Sequence, residues 1–449
     1  MHIRDLAGKS VCILGYGLEG RAMAKALDKY APGCRITVAD QNPDTKLQAT
    51  RPNGSAGRAS YKLQAGKNYL ENIDRFDVII KSPGVPPSLL LTTHYKLLTS
   101  PTQIFLDTIA DTGATVIGVT GSKGKSTTAS LIHAILKKAG KDTYLIGNIG
   151  TPAISFIERS NPNTIFVQEM SSYQLMDLKC SPQIAVLTTF FPEHLDYHGS
   201  LEAYLEAKKH IARFQKKSGV IFYNGESEEC RFIATESKSE KIPFTAKDAP
   251  VRIDQTRLLG RHNLSNIAGA FKVASFLRVP NQIAIEAICE FQGLPHRLKS
   301  IGIHDGIEWV DDSISTNPQS AIEALNALGD RVAAVILGGQ DRGFDFTPLA
   351  KRIADSKVQT AILLPDSGTT IRKAIEKTGA KVKCVEVKTM EEAVKLAKNS
   401  LTPFSPLPSG EGTGVREIPI VLLSPASPSY GHFKNFEDRG EQFKNVALK

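Results

Sequence analysis

The stretch VIGVTGSKGKSTTAS, Val116 to Ser130, runs from an apolar strand pattern through a glycine-rich turn into a helical pattern. That order leaves few folds open, because it places a buried strand, a tight turn and a helix start at one end of a sheet. In such a turn glycines let backbone N–H groups face an anion, and the helix start adds partial positive charge. The common phosphate loop carries a glycine five residues before the GK glycine, and here Val119 stands at that position. The core TGSKGKST keeps the other parts, so Gly121, Ser122, Lys123, Gly124, Lys125, Ser126 and Thr127 are the candidate ATP loop. Lys125 can reach the β- and γ-phosphates, and the Ser126 or Thr127 hydroxyl can bind Mg²⁺. Leu131, Ile132, Ile135 and Leu136 supply one helix face to pack on the sheet. A turn that only joins strand to helix is the plainer alternative, and GKST directly after a strand argues against it.

Strand and helix patterns alternate along most of the 449 residues. The expected class is therefore α/β with parallel, doubly wound sheets. Three segments are expected: a Rossmann-like N-terminal domain over 1–100, a central phosphate-loop-type ATP-binding α/β domain over 101–297, and a Rossmann-like C-terminal domain over 298–449. TMEEAVKLAKNSL opens with a capping-box pattern, Thr389 and Glu392. Residues 402–417, TPFSPLPSGEGTGVRE, break the alternation and read as a flexible surface insertion.

Composition narrows the function classes. Hydrophobic residues at 41% and charged residues at 22% fit a soluble globular protein. The net charge of +9 comes without a basic run or aromatic–basic alternation, so anionic small ligands are expected rather than nucleic acid. The six cysteines form no CxxC pair, which argues against a zinc site or a disulfide frame and for a reducing cytoplasm. The opening MHIRDLAGKSVCILG has no signal-peptide core, and no apolar run approaches the ~18 residues of a membrane span.

A second glycine loop, GYGLEG, follows the strand SVCILG, with Asp40 ending the next strand. Gly15, Gly17 and Gly20 fit the dinucleotide fingerprint. The pattern admits a nicotinamide or flavin nucleotide, another nucleoside diphosphate, or helix packing alone. A chain with both loops suggests a nucleotide-linked substrate on one domain and ATP on another. Glu169 ends the strand TIFVQE, and His194 lies just beyond the strand QIAVLTTF. Ligands of open parallel sheets gather beyond these strand ends, so both residues are candidate Mg²⁺ ligands near the γ-phosphate. Lys208 falls on the apolar stripe Leu201, Tyr204, Leu205 and Ile211. It either snorkels to solvent or points inward, paired or modified.

Taken in order, GYGLEG, SPGVPP, VTGSKGKSTT, GNIGTP, QEMSSYQL, EHLDYHGSLEAYLEAK, GRHNLSNIAGA, GLPHRLKS, DDSISTNP, LGGQDRGFDF and LLSPASPSYGHFKNFEDRG resemble the Mur ligase family. The resemblance runs through the whole chain apart from 402–417, and the last stretch points to the branch that adds D-glutamate. It implies three domains, for UDP-substrate, ATP and amino acid. The implied reaction is ATP-dependent ligation of D-glutamate to UDP-N-acetylmuramoyl-L-alanine through an acyl phosphate, by a cytoplasmic, monomeric enzyme of peptidoglycan precursor synthesis. By resemblance GYGLEG holds UDP rather than NAD, with Gly15, Tyr16, Gly17, Leu18, Asp40, Gln41, Gly84, Asn148, Ser171 and Gln174 at substrate positions. Asn266, Arg297 and Asp312 match ATP contacts, and Thr316, Arg342, Ser429 and Phe436 match the D-glutamate pocket. Ser126, Glu169, His194 and Lys208, the last as a CO₂-derived carbamate, match ligands for two Mg²⁺ sites. The implied catalytic set is Lys125, Glu169, His194, Lys208 and Arg297. The chain departs from the family at Ile314, where many members have lysine, at Arg342, which replaces a lysine, and at Gln41, where a small hydroxyl residue is common. Ser427 and Pro428 occupy the place of a frequent cysteine.

Overall fold

Three mostly parallel sheets arise from the alternating pattern. The computed structural model describes residues 1–45, 61–90, 95–401 and 418–449, so the insertion read over 402–417 lies outside the described residues. The chain packs as two compact units: Met1–Pro250 with Leu264–Ile288, and Val251–Asn263 with Cys289–Lys449.

In the first unit, β1 (Ser10–Leu14), α1 (Leu18–Tyr30), β2 (Arg35–Asp40), β3 (Lys62–Ala65), β4 (Val78–Lys81) and β5 (Leu98–Thr99) build a parallel sheet in the order β3-β2-β1-β4-β5. Its order reverses next to β1, so the GYGLEG loop opens at a switch point, where ligands collect in such sheets. The same unit continues through α2 (Pro101–Ile109), β6 (Thr115–Thr120), α3 (Lys125–Lys138), β7 (Thr143–Gly147), β8 (Ile165–Glu169), α4 (Ser172–Leu175), β9 (Ile184–Leu187), α5 (Leu195–His198), α6 (Leu201–Arg213), β10 (Val220–Asn224) and β11 (Glu240–Phe244). These strands form a second parallel sheet, β11-β10-β9-β6-β8-β7, with the phosphate-loop strand β6 near its centre. Both sheets share one apolar core: Leu27 and Val38 of the first belong to the same buried cluster as Phe166 and Leu187 of the second. Helix α2 helps join them, and its Phe105 meets Phe166 edge to face with ring centres 5.4 Å apart. Packing therefore joins the first sequence segment to 101–250 and 264–288 of the second, while 251–263 and 289–297 pack with the C-terminal segment.

The second unit holds β12 (Lys299–His304), β13 (Ile307–Asp311), β14 (Val332–Gly339), β15 (Thr360–Asp366), β16 (Lys383–Glu386) and β17 (Ile420–Leu423). The order is β12-β13-β17-β14-β15-β16, and only β12 runs antiparallel to its neighbour. The β12–β13 hairpin turns on Asp305 and Gly306, both at positive φ (54° and 75°). That is the conformation Asp-Gly favours in a two-residue hairpin. Buried residues Trp309, Ile336 and Leu423 face one helix layer, and Val310, Leu337 and Leu422 face the other.

Candidate active site

The first glycine loop forms one wall of a cleft of about 460 Å³ within the first unit. Every residue assigned above to the nucleotide-linked substrate lines it, from Gly15, Tyr16, Gly17 and Leu18 through Asp40, Gln41 and Gly84 to Asn148, Ser171 and Gln174. The loop geometry needs its glycines. At Gly20 a Cβ would lie 2.1 Å from the Gly15 carbonyl oxygen, and Gly15 sits at φ 88°. Asp40 holds the loop: its Oδ2 accepts from the Tyr16 N–H at 2.6 Å, and its Oδ1 from the Asn42 N–H at 2.8 Å. Ser82 adds a brace by donating to the Gly15 carbonyl at 2.7 Å.

The second glycine loop, between β6 and α3, is equally constrained. Gly121 at φ 149° leaves no room for a side chain, since a Cβ would meet Thr188 Oγ1 at 2.1 Å. Gly124 at φ 83° faces Asn266, whose Oδ1 would lie 2.2 Å from a Cβ. Asn266 therefore sits against the turn. Lys125 folds its ammonium back over the loop and donates to the carbonyls of Gly121 at 2.9 Å and Ser122 at 2.6 Å. Lys123 pairs with Glu193 at 2.7 Å, and the Ser126 and Thr127 hydroxyl positions open α3.

Lys208 does not snorkel. It is 1% exposed, and its Nζ donates to the Gly121 carbonyl at 2.8 Å, the same oxygen that receives Lys125. Burial, and then the nearby Lys125 charge, push the Lys208 pKa well below the ordinary lysine value. The physical reason is plain: two ammonium groups sharing one acceptor away from water repel each other and lose hydration. Tyr204, on the same face of α6, lies under Lys208 with Nζ 4.8 Å from the ring centre. Its hydroxyl meets Ser122 Oγ at 2.8 Å, so α6 grips the phosphate loop at two points.

Glu169 ends β8 beside Val119 of β6 and is buried. Its Oε1 accepts from Asn148 Nδ2 at 2.9 Å, while its Oε2 has no hydrogen-bond partner. A buried carboxylate oxygen left unmatched suits a hard cation. His194 caps α5 in the left-handed conformation, φ 58°, a strained setting for a non-glycine residue. Desolvation lowers its pKa, Glu193 opposes that, and Lys125 and Lys208 add to the lowering. The two lysines that act on it are those that donate to the Gly121 carbonyl, on the phosphate-loop side. Among the described residues no three His, Cys, Asp or Glu converge as a metal cage. A cation here needs phosphate oxygens, the Ser126 hydroxyl or a further anion to complete its shell.

In the second unit Asp312 is fully buried and accepts from Ser315 at 2.5 Å, Ser424 at 2.8 Å and the Leu298 N–H at 3.1 Å. Burial raises its pKa to about 6, and these donors and Arg297 oppose the rise. The neighbouring pair His296–Asp311, 2.7 Å apart, locks the same two segments, so Arg297 and Asp312 stand on one rigid seam. Arg439 is buried beside it and donates to Ser313 Oγ at 3.0 Å, the Ser313 carbonyl at 2.8 Å and the Ser427 carbonyl at 3.0 Å. Ser313 in turn donates to the Phe436 carbonyl at 2.8 Å. This network gathers the segments that carry Thr316, Ser429 and Phe436. The Gln340 N–H reaches the Pro428 carbonyl at 2.8 Å, which brings the exposed Arg342 loop to the same place.

Several neighbours escape a motif search. Lys81 forms a buried ion pair with Asp177 at 2.8 Å and also reaches the Val85 carbonyl at 3.3 Å. The Tyr197 hydroxyl lies 2.7 Å from the Pro83 carbonyl and 2.9 Å from that of Val85. Both fix the SPGVPP wall of the cleft. A lysine closing the apolar strand DVIIK was the one visible sign. Glu19, Tyr69 and Tyr173 also line the cleft.

A nucleotide cleft beside a phosphate loop, with a buried carboxylate between them, defines an ATP-using phosphoryl- or acyl-transfer enzyme. Family models agree on the kind: the Mur ligase middle domain matches residues 119–255, and the Mur ligase glutamate ligase domain matches 296–404. The chain is 33% identical to a UDP-N-acetylmuramoylalanine–D-glutamate ligase of Symbiobacterium thermophilum over 97% of each chain. It is 34% identical to a UDP-N-acetylmuramoyl-L-alanine–L-glutamate ligase of Salinispora tropica over 100% of this chain and 99% of the other. The fold is similar to a crystal structure of a UDP-N-acetylmuramate-alanine ligase from Thermotoga maritima, with a TM-score of 0.58 at 16% identity over 98% of this chain and 99% of the other. The chain belongs to the Mur ligase family.

Proposed function

We propose that this protein joins the carboxylate of UDP-N-acetylmuramoyl-L-alanine to the amine of D-glutamate, driven by ATP, in cytoplasmic peptidoglycan precursor synthesis. The observation that carries the reading is the Asn148–Glu169 hydrogen bond of 2.9 Å. Asn148 lines the cleft and Glu169 ends the strand beside the phosphate-loop strand, which supports a reading in which the substrate carboxylate meets the γ-phosphate there. The relatives named above support the substrate class. No helix among the described residues is long and apolar enough to cross a membrane, which accords with soluble substrates. The protein is read as acting as a monomer without nucleic acid.

A free carboxylate is a poor acyl donor. Its oxygen attacks the γ-phosphorus and ADP leaves. The amine of D-glutamate then attacks the acyl carbon, and the tetrahedral adduct expels phosphate. Lys125 is assigned the charge on the transferring phosphoryl oxygens. The loop N–H groups from Gly121 to Thr127, with Asn266, are assigned to the triphosphate, and Arg297 and Asp312 of the second unit are assigned to ATP by the resemblance alone. Ser126, Glu169, His194 and a carbamate on Lys208 suit Mg²⁺, which when bound offsets the negative charge of the two anions brought together. The neutral form of an amine adds CO₂, giving R–NH–COO⁻ and a released proton, and burial and Lys125 favour that form at Lys208. Thr316, Arg342, Ser429 and Phe436 are assigned to the acceptor amino acid.

A second reading follows from the Salinispora relative, whose name specifies L-glutamate. Incubation with ATP, Mg²⁺ and UDP-N-acetylmuramoyl-L-alanine, with D-glutamate, L-glutamate or neither, separates the two. ADP release is expected only when the nucleotide substrate and D-glutamate are both present. Dependence on L-glutamate alone establishes the second reading, and release that ignores both substrates contradicts the ligase assignment.

A further inference from the structure

Among the described residues, none that lines the cleft assigned to a nucleoside diphosphate is a cation. Its charged side chains are two carboxylates, Glu19 and Asp40, with no lysine, arginine or histidine among the described residues that line it. A diphosphate there depends on the backbone N–H groups of the glycine loop and the start of α1. The two acids need donors of their own. Asp40 draws them from the protein, with both oxygens engaged by the Tyr16 and Asn42 amides. Glu19 receives one: its Oε1 accepts from Gln174 Nε2 at 3.0 Å. The Gln174 amide cannot turn to supply more, because its Oε1 is fixed by the Ser171 N–H at 3.0 Å. The second Glu19 oxygen has no hydrogen-bond partner among the described residues. Burial raises the Glu19 pKa against the Gln174 contact, so the group gains from a further donor.

We propose that Glu19 is a specificity-determining residue that accepts a hydrogen bond from a neutral donor, a hydroxyl or amide N–H, on the sugar portion of the substrate. The inference rests on the UDP-sugar reading of this cleft. A carboxylate repels the diphosphate and rewards a ligand whose sugar reaches past it. Glu19 thus separates the sugar-bearing substrate from free UDP, whose charge it opposes without compensation.

The test is calorimetric binding of UDP and of UDP-N-acetylmuramoyl-L-alanine to the full chain and to Glu19→Ala and Glu19→Gln. The sugar-bearing ligand is expected to bind about tenfold or more weakly to Glu19→Ala, the usual scale for a lost charged acceptor. Glu19→Gln keeps an acceptor but loses the charge, and falls between. UDP is expected to bind both variants about two- to fivefold more tightly, since a like charge is gone. Equal weakening of both ligands overturns the inference and leaves Glu19 as a brace for Gln174. Tightening of both shows repulsion alone and also overturns it. A parent protein that binds neither ligand overturns the reading of the cleft, and this inference with it.

Discussion

Lys125→Met is expected to lower kcat by at least about 10²–10³-fold while the protein still folds. Loss of one preorganised donor to developing negative charge costs about that much. Lys125 does more than donate. After burial, its charge is the next cause that lowers the Lys208 pKa, so its removal lets that pKa rise and disfavours reaction of the amine with CO₂. The substitution therefore weakens the site twice. Folding should survive, because methionine keeps the aliphatic stem and the hydrogen bonds lost to Gly121 and Ser122 are worth about 1 kcal/mol each. Single-turnover ADP formation and a denaturant melt check both halves. A variant with near-parental kcat removes Lys125 from the phosphoryl-transfer step.

The second large effect concerns Lys208. On the proposal that it carries a carbamate, CO₂-depleted buffer is expected to lower activity and added bicarbonate to restore it. Lys208→Ala is expected to lose at least about 10²-fold in kcat and to show no bicarbonate response. Carbon-13 bicarbonate should give a carbamate resonance in the parent that Lys208→Ala lacks. The structure supplies the chemical precondition, a buried amine held well below its ordinary pKa by desolvation and by Lys125. Full activity without CO₂ from an unmodified Lys208 refutes the carbamate.

Much of the fold was legible because strand–helix alternation leaves a clear apolar period, and every central strand follows it. The edges were not. β3 and β11 bound their sheets, and each exposes much of its length. β11 also contains Pro243, which an edge strand tolerates. The Thr389 capping box forms in half: Thr389 Oγ1 accepts from the Glu392 N–H at 3.1 Å, but the Glu392 carboxylate takes the Lys388 N–H at 2.8 Å. On α6 the stripe is real from Tyr204 to Ile211, while Leu201 at the helix start is 38% exposed. The inward turn of Lys208 could not be read from that stripe, since a long side chain on an apolar face can reach water. The glycine loops announced themselves by backbone demands that only glycine meets. Lys81–Asp177 and Glu19–Gln174 did not, because each pairs residues that only the packing of two sheets brings together.

An oxygen of the substrate carboxylate is expected to attack the γ-phosphorus and to leave on phosphate. Labelling the L-alanyl carboxylate of UDP-N-acetylmuramoyl-L-alanine with oxygen-18 follows that atom. One labelled oxygen is expected in each inorganic phosphate released during ligation with D-glutamate. Phosphate that carries no label, formed while the amide product accumulates, contradicts the mechanism.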